Sequence, residues 1–128
     1  MPVFYPPVKP CPCGSGRSYA SCCQPLHLGV KWSETPEQLM RSRYSAYFLQ
    51  DTAYVLETCH PEKRPADLDL NDGIRYTGLT IHEAVRDEVE FSVTLKTPDG
   101  HTHRFRERSR FERLGGRWVY VDGNVSIR

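Results

Sequence analysis

Four cysteines within thirteen residues constrain this chain more than any other feature of its sequence. They stand as Cys11-x-Cys13, then eight residues, then Cys22-Cys23. Four thiolates satisfy the tetrahedral coordination that Zn²⁺ prefers. A disulfide between neighbours such as Cys11 and Cys13 would have poor geometry. The spacing therefore predicts one zinc ion bound by Cys11, Cys13, Cys22 and Cys23, and a site closed by four cysteines is structural rather than catalytic.

The residues around these cysteines fit a small metal knuckle. Gly14-Ser15-Gly16 lets the backbone turn tightly, so that amide N–H groups can point at the sulfurs. Four thiolates and one Zn²⁺ leave a net negative charge, which Lys9 and Arg17 are expected to offset. The ligands are too closely spaced to wrap an iron–sulfur cluster comfortably, which also favours zinc. The remaining cysteine, Cys59, is expected to be a small buried hydrophobe.

Composition limits the classes of protein to which the chain can belong. With 128 residues, of which 38% are hydrophobic and 26% charged, it is long enough for one packed domain and a small appendage. A formal net charge of +1 argues against a general polyanion binder. No apolar run approaches the roughly 18 residues of a membrane span, and the N-terminus does not read as a secretory signal. We therefore expect a cytoplasmic protein that makes no membrane contact and keeps its thiols reduced.

The chain divides into two predicted regions. Residues 1–30 are rich in proline and cysteine, whereas residues 31–128 contain periodic apolar segments. Thr35 is expected to cap one helix and Asp51 a second, with a short helix over 66–70. The first helix should present one apolar face: Met40, Tyr44, Tyr47 and Phe48. Because the second region has an apolar pattern of its own, metal removal is predicted to unfold residues 10–25 alone.

Four strands should follow the helices. Alternating apolar residues mark them near positions 79–82, 89–95, 105–111 and 118–121. Pro98-Asp99-Gly100 predicts a three-residue hairpin loop with Gly100 left-handed, and Gly115-Gly116 predicts a two-residue hairpin. Helices followed by an antiparallel meander indicate an α+β fold.

One face of the predicted sheet carries a row of arginines: Arg104, Arg106, Arg108 and Arg110. Residues at this spacing in a strand share a face, and four guanidinium groups could follow a phosphate backbone. The first hairpin, however, places Glu90 opposite Arg108 and Glu88 opposite Arg110, and such cross-strand pairs stabilise a sheet. The register favours a solvated, salt-bridged face, with a nucleic-acid or acidic-partner surface as the alternative.

The other face of the sheet offers a candidate pocket. Its proposed members are Arg43, Tyr44, Tyr47, Glu107, Ser109, Tyr120 and Asp122. The second hairpin places Ser109 opposite Asp122, and Arg43 is expected to form an ion pair with Glu107. Glu107 or Asp122 would then act as a general base on a small molecule. The alternative is a polar network that only fixes packing, and it is favoured because an arginine clamp lowers the basicity of a carboxylate.

Two known sequence patterns are similar to this chain. Residues 11–23, CPCGSGRSYASCC, resemble the SEC-C motif, the zinc-binding tail of the translocation ATPase SecA that contacts the chaperone SecB. Residues 41–47, 107–111 and 118–123 resemble the YchJ family, and the resemblance covers essentially the whole chain. It implies an NTF2-like cone, in which a curved antiparallel sheet packs on helices and often encloses a pocket, preceded by the zinc knuckle.

The same resemblance limits what can be expected of function. Longer members of the family carry a second SEC-C motif at the C-terminus, and the residues up to Arg128 contain none, so a role that needs two knuckles is not expected. The family has no established activity, so the resemblance implies a fold and a metal rather than a reaction.

Three functional hypotheses follow. The leading one is a protein-binding adaptor that presents Lys9, Arg17 and Tyr19 to a protein partner, SecB-like by resemblance. The second is an NTF2-like small-molecule-binding protein or enzyme that uses the inner-face pocket. The third is nucleic-acid binding through the arginine face, the zinc knuckle, or both. The absence of a Ser/His/Asp or Cys/His constellation and of a phosphate-binding glycine loop favours binding over catalysis, and no catalytic residue is assigned.

Overall fold

In the computed structural model the helices precede the strands. The structure describes residues 3–127. Met1, Pro2 and Arg128, at the outer ends of the two predicted regions, lie outside the described residues. The helices are α1 (Gln24–His27), α2 (Pro36–Leu49) and α3 (Thr52–Glu57), with 3₁₀ turns at Tyr19–Ser21 and Pro61–Lys63. The strands are β1 (Arg75–Val85), β2 (Glu88–Lys96), β3 (Thr102–Leu114) and β4 (Arg117–Ile127). They form one antiparallel sheet in the order β1-β2-β3-β4, which confirms the predicted α+β class.

The starts of α2 and α3 have the predicted capping chemistry. The Thr35 hydroxyl accepts a hydrogen bond of 3.1 Å from the backbone N–H of Gln38. The Asp51 carboxylate accepts one of 3.1 Å from the backbone N–H of Tyr54. Each bond satisfies a backbone donor that has no partner within its helix. Both predicted caps are confirmed.

Helix α2 is buried on nearly every side rather than along one stripe. Met40 and Tyr44 are buried as predicted and Tyr47 is half-buried, but Phe48 is 38% exposed and packs edge-on against Tyr5. The polar side of the helix is buried as well: Ser42, Arg43 and Ser45. Because α2 contacts the sheet, α1 and α3, the prediction of a single apolar face was too narrow, and its assignment of Phe48 was wrong.

The segment between the helices and the sheet is irregular. No helix forms over 66–70 in the part of the chain that the structure describes, so that prediction was wrong. The carboxylates of Asp69 and Asp72 instead accept hydrogen bonds from backbone N–H groups two residues further on. Such local bonds offer the backbone an alternative to the helix.

The first predicted hairpin register is confirmed. Glu90 lies opposite Arg108 and Phe91 opposite Glu107. Gly100 ends the connecting turn with a φ of 88°, a left-handed conformation that favours glycine. The parity of β3 therefore sends Glu107 to the inner face and the arginines to the outer face.

The second hairpin departs from the predicted register beyond one point. Phe111 lies opposite Tyr120, as predicted, but a β-bulge separates this pair from the next pair, Arg110 with Asp122. As a result Ser109 lies opposite Gly123 and not opposite Asp122. A bulge adds one residue to one strand, which reverses the face of the residues beyond it.

One hydrophobic core joins the cysteine segment to the sheet. Its buried members come from the knuckle, from α2 and from β2 and β3: Cys11, Cys13, Tyr19, Cys23, Leu39, Met40, Tyr44, Leu49, Val89, Phe91, Val93 and Phe111. A smaller cluster lies among the helices: Leu26, Ala46, Tyr54, Val55 and Leu70. Over the described range 3–127, no helix is both long and apolar enough to cross a membrane.

Candidate metal centre and inner-face cavity

The four predicted cysteine ligands converge. Their sulfur atoms all lie within 4.8 Å of one another. The Sγ atom of Cys22 is 3.6 Å from that of Cys13 and 3.9 Å from that of Cys23. A tetrahedral zinc site with Zn–S bonds of about 2.3 Å has S···S edges of about 3.8 Å. The cluster therefore has the ligands and the size of a tetrathiolate metal site, and it can bind a metal ion.

Polar side chains from both predicted regions surround the sulfurs. The Ser15 hydroxyl lies 3.2 Å from Cys22 Sγ. On α2, the Ser45 hydroxyl lies 3.3 Å from Cys23 Sγ and 3.5 Å from Cys11 Sγ. Hydroxyl donors of this kind stabilise and orient thiolate ligands. One of the two hydroxyls belongs to α2, so the metal centre is built on the helix as well as on the knuckle.

A guanidinium group that the sequence did not predict contacts the cysteine cluster. Arg41 on α2 donates to the backbone carbonyl of Cys13 at 3.0 Å, and its Nη1 is 3.9 Å from Cys13 Sγ. Lys9 and Arg17 are exposed, and Arg17 donates instead to the carbonyl of Ser21. Arg41 thus adds a positive charge close to the sulfurs, in addition to the charge compensation expected from Lys9 and Arg17. Only the packing of α2 on the knuckle, which no local pattern gives, brings it there.

Hydrogen bonds among the four thiols raise the pKa of two of them and lower the pKa of the other two. Bonds with Cys11 and Cys23 hold the pKa of Cys13 far below its ordinary value, and a bond with Cys23 lowers the pKa of Cys22 to about 6. A bond with Cys13 raises the pKa of Cys11 to about 11, and bonds with the other three thiols raise that of Cys23. Since a metal takes all four as thiolates, its binding releases protons, chiefly from Cys11 and Cys23.

A buried histidine ties the knuckle to α2. The Tyr19 hydroxyl donates to His27 Nδ1 at 2.7 Å, and His27 Nε2–H donates to the carbonyl of Ser42 at 2.8 Å. The imidazole ring also packs against Tyr54, with 4.7 Å between ring centroids. Burial lowers the pKa of His27, so the neutral ring fits this arrangement. Tyr19 was predicted to face a partner, but it is only 7% exposed, so that assignment was wrong.

A cavity of about 280 Å³ lies on the inner face of the sheet. Its lining comes from α2 and from all four strands: Met40, Arg43, Tyr47, Tyr76, Phe91, Phe105, Glu107 and Tyr120. Four of the seven predicted pocket residues line it: Arg43, Tyr47, Glu107 and Tyr120. Sequence reasoning missed the apolar walls Met40, Tyr76, Phe91 and Phe105, although alternation in β2 and β3 placed the two phenylalanines on this face.

Arg43 and Glu107 do not form the predicted ion pair. Arg43 Nη1 donates to the carbonyl of Val55 at 2.9 Å and to the hydroxyl of Thr58 at 2.7 Å. Its guanidinium carbon lies 4.5 Å from the centroid of the Tyr120 ring. The Tyr120 hydroxyl in turn donates to Glu107 at 3.1 Å. The phenol ring thus stands between the two charges, and the prediction of a direct pair was wrong because α3 offers Arg43 closer acceptors.

Glu107 is held from the sheet side. Its Oε2 accepts hydrogen bonds from the hydroxyls of Ser109 and Tyr120. Burial and the nearby carboxylate raise the pKa of Tyr120, which keeps the phenol protonated as the donor. The side chain lies over Gly123, where an added Cβ would come within 2.8 Å of the carboxyl carbon. Gly123 therefore makes room for Glu107, a role that emerged only with the bulged register.

The other predicted pocket residues do not line the cavity. Ser109 is fully buried behind Glu107 and acts through its hydrogen bond to that carboxylate. Tyr44 is buried beside Tyr76, with 6.0 Å between ring centroids, and burial raises its pKa to about 12. Asp122 lies on the outer face, where its carboxylate accepts a hydrogen bond of 3.1 Å from Arg110. Asp122 as an inner-face general base was therefore wrong, since the bulge turns it away.

The outer face is a network of ion pairs. Arg108 contacts the carboxylates of Glu83, Glu88 and Glu90 at 2.9, 2.6 and 2.8 Å. Arg106 also pairs with Glu90. The opposed residues are those predicted, although twist makes several contacts diagonal.

Arg104 differs from the other predicted arginines. It contacts the Thr94 hydroxyl at 3.4 Å, and residues 3–127 supply it with no acidic partner. With Arg106, Arg108 and Arg110 all paired, the geometry supports the solvated, salt-bridged interpretation of this face.

Comparison with known proteins gives two matches within the chain. Residues 35–123 match the family described as YchJ, middle NTF2-like domain, and residues 9–25 match the SEC-C motif. A UPF0225 protein of Deinococcus radiodurans is 64% identical over 121 residues, covering 94% of this chain and 93% of the relative. A UPF0225 protein of Streptomyces coelicolor is 47% identical over 120 residues, covering 91% and 96%.

Solved structures agree with these matches. A SEC-C motif containing protein from Rhodopseudomonas palustris is 34% identical with a TM-score of 0.81, covering 89% of this chain and 96% of that one. A sec-c motif containing protein from Psychrobacter arcticus is 26% identical with a TM-score of 0.71, covering 95% and 85%. The resemblance in the sequence and the predicted NTF2-like fold are confirmed: this chain belongs to the YchJ (UPF0225) family and carries the SEC-C motif at its N-terminal end.

Proposed function

We propose that the protein is a zinc-stabilised, protein-binding adaptor of the cytoplasm, in which a closed tetrathiolate centre fixes the N-terminal segment on the NTF2-like domain. One observation carries the proposal. Four cysteine sulfurs lie within 4.8 Å of one another, so the protein itself supplies every ligand of a tetrahedral zinc ion. A closed centre leaves no position for a substrate, and the metal therefore shapes a surface.

The metal half of the proposal is tested by metal content. Protein purified without added metal should contain one equivalent of zinc by elemental analysis. Cys22→Ser should lose it, because three ligands bind zinc far more weakly than four. Cys59→Ser is the matched control, since Cys59 is buried but lies outside the cluster, and it should keep its zinc. Another metal, or equal losses in both variants, would contradict the assignment.

The adaptor half rests on what the knuckle exposes. Phe4 and Val8, which lead into the knuckle, are 82% and 86% exposed, and the cations Lys9, directly after Val8, and Arg17 are exposed as well. Apolar groups beside cations suit an acidic partner that has apolar side chains of its own. A chaperone of the SecB type fits this description by resemblance of the motif alone.

A charge-reversal experiment tests the adaptor surface. Lys9→Glu with Arg17→Glu should abolish capture of a partner by the zinc-loaded protein. Lys63→Glu with Arg64→Glu makes the same charge change at exposed residues outside the knuckle and should leave capture intact. Equal capture by both double variants would count against the knuckle as the binding surface.

A second candidate function is small-molecule binding in the inner-face cavity. Two observations favour it: the cavity is not filled by side chains, and Glu107 is not locked in an ion pair. Pockets that bind small ligands are typically apolar with a few placed polar groups, and this cavity has that composition. Its test is the ligand panel described below.

A further inference from the structure

We infer that the inner-face cavity binds a small dipolar organic molecule, with an anionic group and an ammonium group on a compact apolar body. The inference rests on the second candidate function above, since it names the ligand class of that cavity. It depends on two charged side chains, Arg43 and Glu107, that line the cavity and are not paired with each other.

Arg43 supplies an incompletely used cationic site. It is 4% exposed, and the described residues place no carboxylate at ion-pair distance from it. Its hydrogen bonds to Val55, Thr58 and Cys59 all leave from Nη1. Nε and Nη2 have no acceptor in residues 3–127. A buried guanidinium with spare donors is suited to an anionic group.

Glu107 supplies the opposite charge across the ring of Tyr120. Both of its hydrogen bonds, from Ser109 and Tyr120, reach Oε2. Oε1 receives no hydrogen bond from the described residues. An oxygen fixed in this way can accept a hydrogen bond from a ligand ammonium group.

The charge balance of the cavity excludes simple ions as its best ligands. A cation at Glu107 would also lie in the field of Arg43, and an anion at Arg43 would lie in that of Glu107. In a partly buried site, this repulsion between charges of the same sign is screened less than in water. A dipolar molecule places each end beside its opposite charge and avoids both penalties.

The walls and the volume define the body of the ligand. The rest of the lining is apolar or aromatic: Met40, Tyr47, Tyr76, Phe91, Phe105 and Tyr120. The cavity of about 280 Å³ holds the liquid volume of roughly nine water molecules. This size suits a molecule of roughly ten non-hydrogen atoms, and an amino acid with an apolar side chain meets every requirement.

Three compounds that share a phenylethyl group test the inference. L-Phenylalanine carries both charges, 3-phenylpropionate lacks the ammonium, and 2-phenylethylamine lacks the carboxylate. Each is titrated into the zinc-loaded full-length protein, and binding is followed by amide-resolved NMR. We expect shifts that map to the cavity lining and an affinity for the amino acid about tenfold above that for either single-charge compound.

Variants at one position separate charge recognition from packing. Glu107→Gln should lower the affinity for L-phenylalanine and for 2-phenylethylamine about tenfold. The affinity for 3-phenylpropionate should be unchanged or higher. Glu112→Gln is the matched control, because Glu112 is exposed on the same strand, and it should change none of the three affinities.

Each remaining outcome overturns part of the assignment. Tighter or equal binding of a single-charge compound would overturn the dipolar class and leave the cavity as a ligand site. An amino-acid affinity unaffected by Glu107→Gln would do the same. If no compound shifts a cavity resonance at about 10 mM, where a millimolar Kd would be visible, both this inference and the second candidate function fail.

Discussion

The metal centre and the inner-face cavity share helix α2, yet they differ in how their residues are brought together. All four candidate metal ligands come from residues 11–23, while the cavity draws on α2 and on four strands spread over residues 75–127. The four cysteines that the sequence named do converge, whereas the central contact predicted for the cavity, Arg43 with Glu107, does not form. A site whose residues are close in the chain can be recognised directly from the sequence. A site formed by distant segments depends on strand register and helix packing, which the sequence does not show directly.

The largest expected effect is that of metal removal, which tests whether the metal centre folds independently of the rest of the protein, as its sequence suggests. The sequence alone predicts that chelation unfolds residues 10–25 and nothing else. The contacts predict more, because Cys11, Cys13 and Cys23 share a core with α2 and the sheet, and Ser45 and Arg41 reach the sulfurs. Structural zinc contributes roughly 10 kcal/mol or more in small domains, so removal should destabilise the whole protein.

Amide hydrogen exchange with and without a chelator measures how far this effect extends. Loss of protection in α2 and β2 as well as in the knuckle would confirm the shared core. Loss confined to residues 10–25 would restore the two-region organisation. The Cys59→Ser variant serves again as the control for an effect of cysteine substitution that does not involve the metal.

Much of the fold followed from local patterns. The caps at Thr35 and Asp51, the turn at Gly100 and the parity of β3 were all predictable, because each depends on residues a few positions apart. The bulge between the Phe111–Tyr120 and Arg110–Asp122 pairs was not, since no residue between the two glycines and Asp122 marks an inserted position. Its consequence is large, because every face assignment beyond a bulge is reversed.

The parts of the two sites that sequence missed depend on contacts between segments that are distant in the chain. Arg41 and Ser45 reach the cysteines, and His27 on α1 donates to the Ser42 carbonyl, only because α2 packs on the knuckle. Gly123 meets Glu107 only because of the bulged register. Amphipathic periodicity assigns a helix one buried face, and α2 has more than one. A charged or polar residue in a helix with two packed sides is therefore a candidate for a site contact.

Two buried serines provide the next comparison. Ser45 contacts the sulfurs of Cys11 and Cys23, and Ser109 contacts Glu107 beside the cavity; both are 0% exposed. Ser45→Ala should weaken zinc affinity about 10- to 100-fold, as loss of a hydrogen bond to a ligand does. Ser109→Ala should leave zinc affinity unchanged and lower the free energy of unfolding by about 1 kcal/mol.

Competition with a zinc chelator measures both variants under the same conditions. A weakened affinity in Ser109→Ala would mean that the cavity and the metal centre are coupled through α2. Unchanged affinity in Ser45→Ala would mean that its hydroxyl packs against the sulfurs without supporting them as ligands.

The cavity side has its own steric test at Gly123. Gly123→Ala places a Cβ within 2.8 Å of the Glu107 carboxyl carbon and should lower the free energy of unfolding by about 1–3 kcal/mol. In a Glu107→Ala background that cost should largely disappear, because the crowded group is gone. Gly78→Ala is the control, since its Cβ would meet only Thr94 atoms, at 3.9 Å. Additive costs in denaturant unfolding of the double variant would show that Gly123 has another role.

The smallest predicted effect concerns pH and the link between the knuckle and α2. Burial lowers the pKa of His27, so the unfolded state binds a proton more readily than the folded one. The contribution of neutral His27 is therefore complete above its unfolded pKa of about 6.5 and is lost as the pH falls below that value. His27→Gln retains a donor for the Ser42 carbonyl and an acceptor for the Tyr19 hydroxyl but does not titrate.

Denaturant unfolding of both proteins between pH 7.5 and pH 5, with zinc in excess, isolates this contribution. Acid also protonates the thiolates, but that effect is common to the two proteins and cancels in their difference. The wild type should lose stability more steeply below about pH 6.5 than His27→Gln does. As the pH falls, protection from amide hydrogen exchange should be lost first around α1, on the metal side of α2, and last around the cavity. Parallel pH curves would show that His27 accepts a proton in place, and the knuckle would then be held by its metal and apolar contacts alone.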